Sequence, residues 1–460
     1  MGAEAESALI PTQAEAKTCR PSTAPSEESL GVQAAWYALA ILCVVTLLSQ
    51  LDRHITTIIV TPLKSEFDIS DTQFGLLHGY GFALTYAIFG IPFGRLVDRR
   101  NRRNIILFGL LGWSLLTSLS AFAGSYGQLL VLRTGVGIGE AVLGPAAYSL
   151  LIDFFEPHKR GRATGIYYMA MAVGGGGSLL LGGLLLGLMP SAGLSLGGMM
   201  NLEPWRLLFL FAGLPGLFAC LLMLTIKEPA RRGAIAGDVV SFREFFGYVW
   251  KHKALLIRIS AAGTLAALAG YGAGAWAPTL LERRFDLPPA STGWPIGGAM
   301  IIGSIIGTLL GGAISDRTTK SGRLNARTRP MFFGFVTLLP ASVFGLTSGP
   351  WLAILFFGVI VFGVAMVQSA TPLALQEAVP ANMRGQIIAL QYLILALCSI
   401  GLGPTLVGAI TDAFFQSGAM LGWSLLTLVL PISLVGLAVC GFGLNEGAYR
   451  RMAHKTKSGG

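Results

Sequence analysis

The sequence predicts an all-α membrane protein whose twelve transmembrane helices form two pseudo-symmetric six-helix bundles. Three observations lead there. Hydrophobic residues make up 53% of the 460 and charged residues only 12%, with a mean hydropathy of +0.66. That is more apolar surface than a water-soluble core of this length can bury. The apolar residues gather into twelve stretches, most near or above the roughly 20 residues that cross a bilayer as helix. Paired motifs also recur at matching helix ends in the two halves of the chain.

Taken in order, residues 1–33 are rich in Ala, Ser, Glu, Thr and Pro and lack an apolar stretch of leader length, which predicts a disordered cytoplasmic tail. Stretches at 34–62, 72–97, 104–124, 127–152, 163–189 and 205–226 predict the N-terminal bundle, residues 34–226. Residues 227–253 form a cytoplasmic linker. Within it, Ser241 to Lys253 sets Phe242, Phe245 and Val249 on one face beside basic residues, a pattern that suits an amphipathic surface helix or an ordinary hinge loop. Stretches at 254–281, 291–315, 330–347, 351–378, 386–411 and 420–444 predict the C-terminal bundle, residues 254–444, and 445–460 form a second cytoplasmic tail.

Lys and Arg stay on the cytoplasmic side of short loops. With both termini inside, 26 of the 33 basic residues fall on that side, in the tails, the linker and the loops around Arg95–Arg103, Lys159–Arg162, Arg317–Arg329 and Arg384. The net charge of +10 is therefore a topology signal. It is no nucleic-acid footprint, because the arginines are scattered among short loops and form no soluble basic face with aromatic platforms. The five cysteines, Cys19, Cys43, Cys220, Cys398 and Cys440, show no paired spacing, so neither a disulfide framework nor a metal site is indicated. No cofactor is expected. There is no G-x-x-x-x-G-K-[ST], and Gly135-x-Gly137-x-Gly139 lies inside a membrane stretch, which removes nucleotide-driven and dinucleotide chemistry. No Ser or Cys stands out near a base that would make it a hydrolase nucleophile.

The halves repeat each other. Gly94-x-x-x-Asp98-Arg99 ends the second helix and Gly312-x-x-x-Asp316-Arg317 ends the eighth. Asp153 precedes Arg160-Gly161 by seven residues, as Glu377 precedes Arg384-Gly385. One such basic loop is an ordinary solvated loop. Two matched pairs predict a polar latch that holds one arrangement of the halves and releases it in another, with Gly94, Asp98, Arg99, Arg102, Asp153, Asp316 and Arg317 as its residues.

These motifs resemble the major facilitator superfamily, whose signature loop is G-x-x-x-D-R-x-x-R-R-like and stands here as Gly94 to Arg103. More narrowly, Leu51-Asp52-Arg53, Ile69-Ser70-Asp71-x-x-x-Gly75-Leu76-Leu77, and Arg133-x-x-x-Gly137-x-Gly139-Glu140-Ala141 with Asp153 resemble the Spinster-like lipid transporters. The chain departs from them in Ser49-Gln50, where relatives often carry Asn-Tyr, and in Gly174 to Gly177, which lacks the proline of antiporter motifs. The resemblance implies a monomeric, multi-pass protein of a bacterial inner membrane, with protons and a lysophospholipid or sphingosine-1-phosphate-like amphipathic lipid as its partners.

Charges inside the membrane mark the functional candidates. An intramembrane charge costs at least about 2.5–3.5 kcal/mol, so a helix keeps one for a partner, an ion or a polar substrate. Asp52-Arg53 lies in the first helix and Arg133 with Glu140 in the fourth, at similar depths by helix rise. Spacings of i, i+4 and i+7 place Arg133, Gly137 and Glu140 on one face, and the glycine leaves room for a helix or a ligand. Asp52 with Arg133 and Arg53 with Glu140 are the natural pairings. Three roles compete for them: buried salt bridges that fix packing, proton coupling through Asp52 and Glu140, whose proton affinity changes as an arginine moves, and an anionic headgroup site at Arg53 and Arg133.

Tyr271 to Pro278, with Trp276, reads as a bendable gate or a kinked packing helix. His54 and His78 read as packing residues first. Gln368, Ser369, Gln376, Gln391 and Tyr392 give the second half a neutral polar wall. Together these features suit a proton-coupled transporter of an amphipathic substrate, which the resemblance implies is a lipid. An exporter of organic anions or drugs, and a non-transporting sensor, are the alternatives.

Overall fold

The computed structural model describes residues 27–190, 193–196, 200–231, 241–320 and 326–443. Most of the two expected tails, 1–26 and 444–460, lies outside the described residues. Among the described residues, twelve helices are long and apolar enough to cross a membrane, here numbered as spans: Gln33–Ile58, Asp71–Arg99, Arg102–Ser120, Tyr126–Phe154, His158–Leu188, Pro204–Thr225, Lys253–Phe285, Pro289–Lys320, Ala326–Leu346, Pro350–Glu377, Arg384–Phe415 and Gly418–Phe442. Between spans 5 and 6 two short strands, β1 (Leu194–Leu196) and β2 (Met200–Leu202), pair antiparallel.

Local chemistry explains the boundaries. Ser70 closes a capping box with Gln73 at the start of span 2, and Asn101 and Ser125 accept from the third residue onward at the starts of spans 3 and 4. Prolines occupy the first turn of spans 5, 6 and 10, where no N–H is needed. Two expectations shift. The first helix begins at Glu27, so residues 27–33 are helical instead of tail; Glu27 and Glu28 favour a helix N-terminus. At its other end the helix tightens into a 3₁₀ turn, Thr56–Ile58, and a separate short helix, Val60–Phe67, follows, with Pro62 in its first turn.

The linker carries a helix at Phe242–Lys251, capped by Ser241 and Glu244. Phe245 is buried, and the Tyr248 hydroxyl donates to the Ala378 carbonyl at 3.0 Å. Phe242, Phe246 and Trp250 face outward. The expected apolar stripe is therefore divided, one edge docked on the C-terminal half and the other free.

The two halves meet through glycine. Span 5 lies against span 8 with Gly176 on Gly297 and Gly183 on Gly293; a Cβ at these positions would strike the facing backbone. Span 2 lies against span 11, where Gly75 abuts Pro404 and Gly79 abuts Gly401; Gly79 and Gly401 each lie in a π-helical turn, Leu76–Tyr80 and Ala396–Gly401. Small residues are what let membrane helices approach this closely.

Candidate functional site

Span 4 is built to present Glu140. Pro145 has no N–H to offer the Ala141 carbonyl, so the helix Tyr126–Glu140 stops, the Ala141 N–H donates to the Ile138 carbonyl at 3.3 Å, and a new helix starts at Leu143. The carboxylate sits at the break, 1% exposed. Gly137, one turn earlier, faces the backbone of Phe82 and the Thr85 hydroxyl, so the space it leaves is taken by span 2 and not by a ligand.

Both predicted charge pairs form, and they differ in kind. Asp52 is fully engaged: one carboxylate oxygen accepts from Arg133 at 2.5 Å, the other from Thr117 Oγ1 at 2.7 Å, and its carbonyl accepts from the second Arg133 nitrogen at 3.1 Å. Glu140 uses one oxygen only. Its Oε2 accepts from Arg53 and from Ser49 Oγ, each at 2.8 Å, while Oε1 has no partner and neither has Arg53 Nε. The Arg53 guanidinium lies 4.2 Å from the centre of the Phe82 ring and 5.6 Å from that of Tyr86. Tyr271 of span 7 packs on the cluster of Phe82, Ala83 and Ala87. His78 is bonded to Thr56 at 2.7 Å and stacks on Phe74, as a packing histidine does.

The latch residues stay within their own halves. Arg102 is buried and reaches Asp153, Glu228 at 2.7 Å and the Pro229 carbonyl at 3.0 Å, tying spans 3 and 4 to the end of span 6. Asp98 and Arg99 are exposed, and Arg231 caps the Val97, Asp98 and Arg100 carbonyls around them. In the second half, Asp316 and Glu377 are joined by Arg327, at 3.4 and 2.7 Å. Arg317, expected in that role, is exposed. Arg327 opens span 9 as Arg102 opens span 3, and this matched position was the available signal for it. Gly94 faces open space.

At the opposite end of the molecule the halves are bonded directly. Asp71, 1% exposed, receives both terminal nitrogens of Arg283 at 2.7 Å, and Lys64 as well. Thr72 gives its N–H and hydroxyl to Asp412 at 2.7 and 2.6 Å, and Thr61 donates to Glu282 at 2.5 Å. Trp276, fully buried, donates to the Pro404 carbonyl at 2.9 Å and meets Phe74 edge-on at 5.3 Å. Pro278 is also buried, inside an unbroken helix Lys253–Phe285. The halves are closed at this end, whereas Asp98 and Asp316 at the other are bonded within their own halves, to Arg231 and Arg327.

The sequence pattern of the Major Facilitator Superfamily matches residues 42–404. The chain belongs to the major facilitator superfamily. Within it the chain is similar to Spinster proteins and to an efflux pump. It is 25% identical over 411 residues to Protein spinster of Drosophila melanogaster, covering 85% of this chain and 64% of that protein. It is 28% identical to an MFS-type efflux pump of Mycolicibacterium smegmatis, over 92% of this chain and 95% of that one. A bacterial homolog of the human lysosomal transporter Spinster, solved in an inward-facing and unoccupied conformation, superposes with a TM-score of 0.78 at 27% identity, over 91% of this chain and 97% of that one. This superfamily member is a multi-pass membrane transporter.

Proposed function

We propose that this transporter moves an anionic amphipathic lipid, of the lysophospholipid or sphingosine-1-phosphate type, by alternating access coupled to protons. The half-satisfied pair Arg53–Glu140 carries the reading. Buried polar atoms are nearly always bonded, and those that are not call for an explanation. Here the free Arg53 Nε is a donor aimed at an incoming anion, and the free Glu140 Oε1 is a place for a proton. A phosphate that draws Arg53 away leaves Glu140 without its countercharge in a dry site, where an isolated carboxylate is costly; protonation removes that cost. Asp52–Arg133, with its bonds filled, serves to hold spans 1, 3 and 4 in register. Direct headgroup contact therefore falls to Arg53 before Arg133, and proton carriage to Glu140 before Asp52.

The basic face is cytoplasmic on this reading, so the closure at Asp71–Arg283 and Trp276 is the outer gate, and Arg102 and Arg327 organise the inner latch of each half. Resemblance to Spinster proteins supports a lipid substrate. Resemblance to an efflux pump supports a second reading, export of organic anions or drugs, which the aromatic surround of Arg53 would also accept. Proteoliposomes loaded with labelled lysophospholipid separate the two. Flux stimulated by a proton gradient supports lipid transport, whereas gradient-driven movement of soluble organic anions with no lipid flux supports the exporter.

A further inference from the structure

The C-terminal half contains a small cavity of about 90 Å³ between spans 10 and 11, where Gln368, Gln391 and Tyr392 stand among Pro372, Ile388 and Leu395. It has room for more than a single water molecule. Gln391 is 5% exposed, yet its side-chain oxygen has no hydrogen-bond partner; its nitrogen only reaches Thr264 of span 7, at 3.5 Å. Thr371, the remaining lining residue, is committed to the Val367 carbonyl at 2.8 Å. Tyr392 is half-exposed, and Leu395 packs on the Phe82, Ala83 and Ala87 cluster that also takes Tyr86 and Tyr271. The cavity therefore adjoins the aromatic cluster whose Phe82 and Tyr86 rings lie beside the Arg53 guanidinium. No charged side chain lines it.

We infer that this cavity is a subsite for a neutral hydrogen-bond donor, a hydroxyl carried by the transported molecule, with the Gln391 carbonyl oxygen as acceptor. The inference rests on the reading above that the central site binds an amphipathic solute, and it adds the part of that solute which is neither anion nor tail. Three features define the ligand chemistry. A buried amide oxygen without a partner favours any ligand that donates to it, because the alternative is a desolvated acceptor. The apolar neighbours Pro372, Ile388 and Leu395 make a charged group costly there. The adjacent Tyr392 hydroxyl can give or accept a second bond. A hydroxyl attached to a short carbon skeleton meets all three.

The test uses the purified full chain in nanodiscs and three neutral probes: 1-O-octylglycerol, its dimethyl ether and free glycerol. Octylglycerol is expected to bind about fivefold to tenfold more tightly than the ether, the margin of one neutral hydrogen bond. That preference should vanish in Gln391→Met and also in Ile388→Phe, which fills the cavity and leaves the amide in place. It should persist in Arg53→Gln and Glu140→Gln, since no probe carries a charge; failure of the anion and proton readings would thus leave it standing. Free glycerol showing the same dependence on Gln391 supports the subsite and assigns its source as a soluble polyol. Equal binding of octylglycerol and its ether by the wild-type chain, or a preference that survives both substitutions, overturns the inference.

Discussion

Arg53 and Glu140 meet through one nitrogen and one oxygen, 2.8 Å apart, and each keeps a second buried polar atom unbonded. Eighty-one residues separate Arg133 from Asp52, yet that neighbouring pair leaves no carboxylate oxygen over. Two arginine–carboxylate pairs on the same two spans thus differ in how completely they are bonded.

Substitution should separate them. Asp52→Asn leaves Arg133 buried without its countercharge, and removing one partner of a buried pair costs about 3–5 kcal/mol. The purified variant should melt well below wild type, with the loss reduced when Arg133→Gln is added. Glu140→Gln also removes a countercharge, but Arg53 is 14% exposed and lies over the Phe82 ring, so this variant should melt less far below wild type than Asp52→Asn while losing gradient-driven flux by about tenfold or more, the size of an ordinary coupling free energy. Thermal unfolding and proteoliposome flux, measured on the same preparations, check both.

The glycine seam should set the conformational balance. Adding a side chain at Gly297 drives it into the Gly176 carbonyl, so Gly297→Val should disfavour closure at the Asp71–Arg283 end. Arg283→Gln should act in the same direction by removing both bonds to Asp71. Spin-label distances across that end should lengthen in both variants, with the open population rising by about tenfold for a loss of roughly 1.4 kcal/mol. Unchanged distances would deny the seam and the ion pair a role in gating.

The two latch arginines should differ in weight. Arg102 is buried with Asp153 and Glu228, whereas Arg327 pairs with the exposed Asp316 and Glu377. Exposed pairs contribute about 0.2–1 kcal/mol. Arg327→Gln should therefore barely change the melting temperature, and Arg102→Gln should lower it clearly, in thermal scans under identical detergent conditions.

The pairings of Asp52, Arg53, Arg133 and Glu140 were legible because a membrane helix so rarely carries charge that the few present must find one another. Arg102–Asp153 was legible through the repeated motif. Arg327 was hidden by Arg317, which completes the G-x-x-x-D-R pattern by letter but is exposed, while Arg327 pairs with Asp316. The closure at Asp71, Arg283 and Asp412 was hidden for another reason. Each residue lies at a helix end, where a charge needs no partner, and only tertiary packing brings Asp71 to Arg283, 212 residues on. Gly137 carried an ambiguity that spacing could not resolve, and the backbone of Phe82 resolved it.

Proton uptake on ligand binding tests the central claim most directly. A weakly buffered solution of the purified protein, titrated with an anionic lysophospholipid and followed with a pH indicator, should show about one proton taken up per ligand bound by the wild type, as Arg53 turns to the phosphate and Glu140 is protonated. Glu140→Gln should bind the lipid with no uptake. Binding by the wild-type chain without proton uptake, or equal uptake by Glu140→Gln, would contradict coupling through this pair.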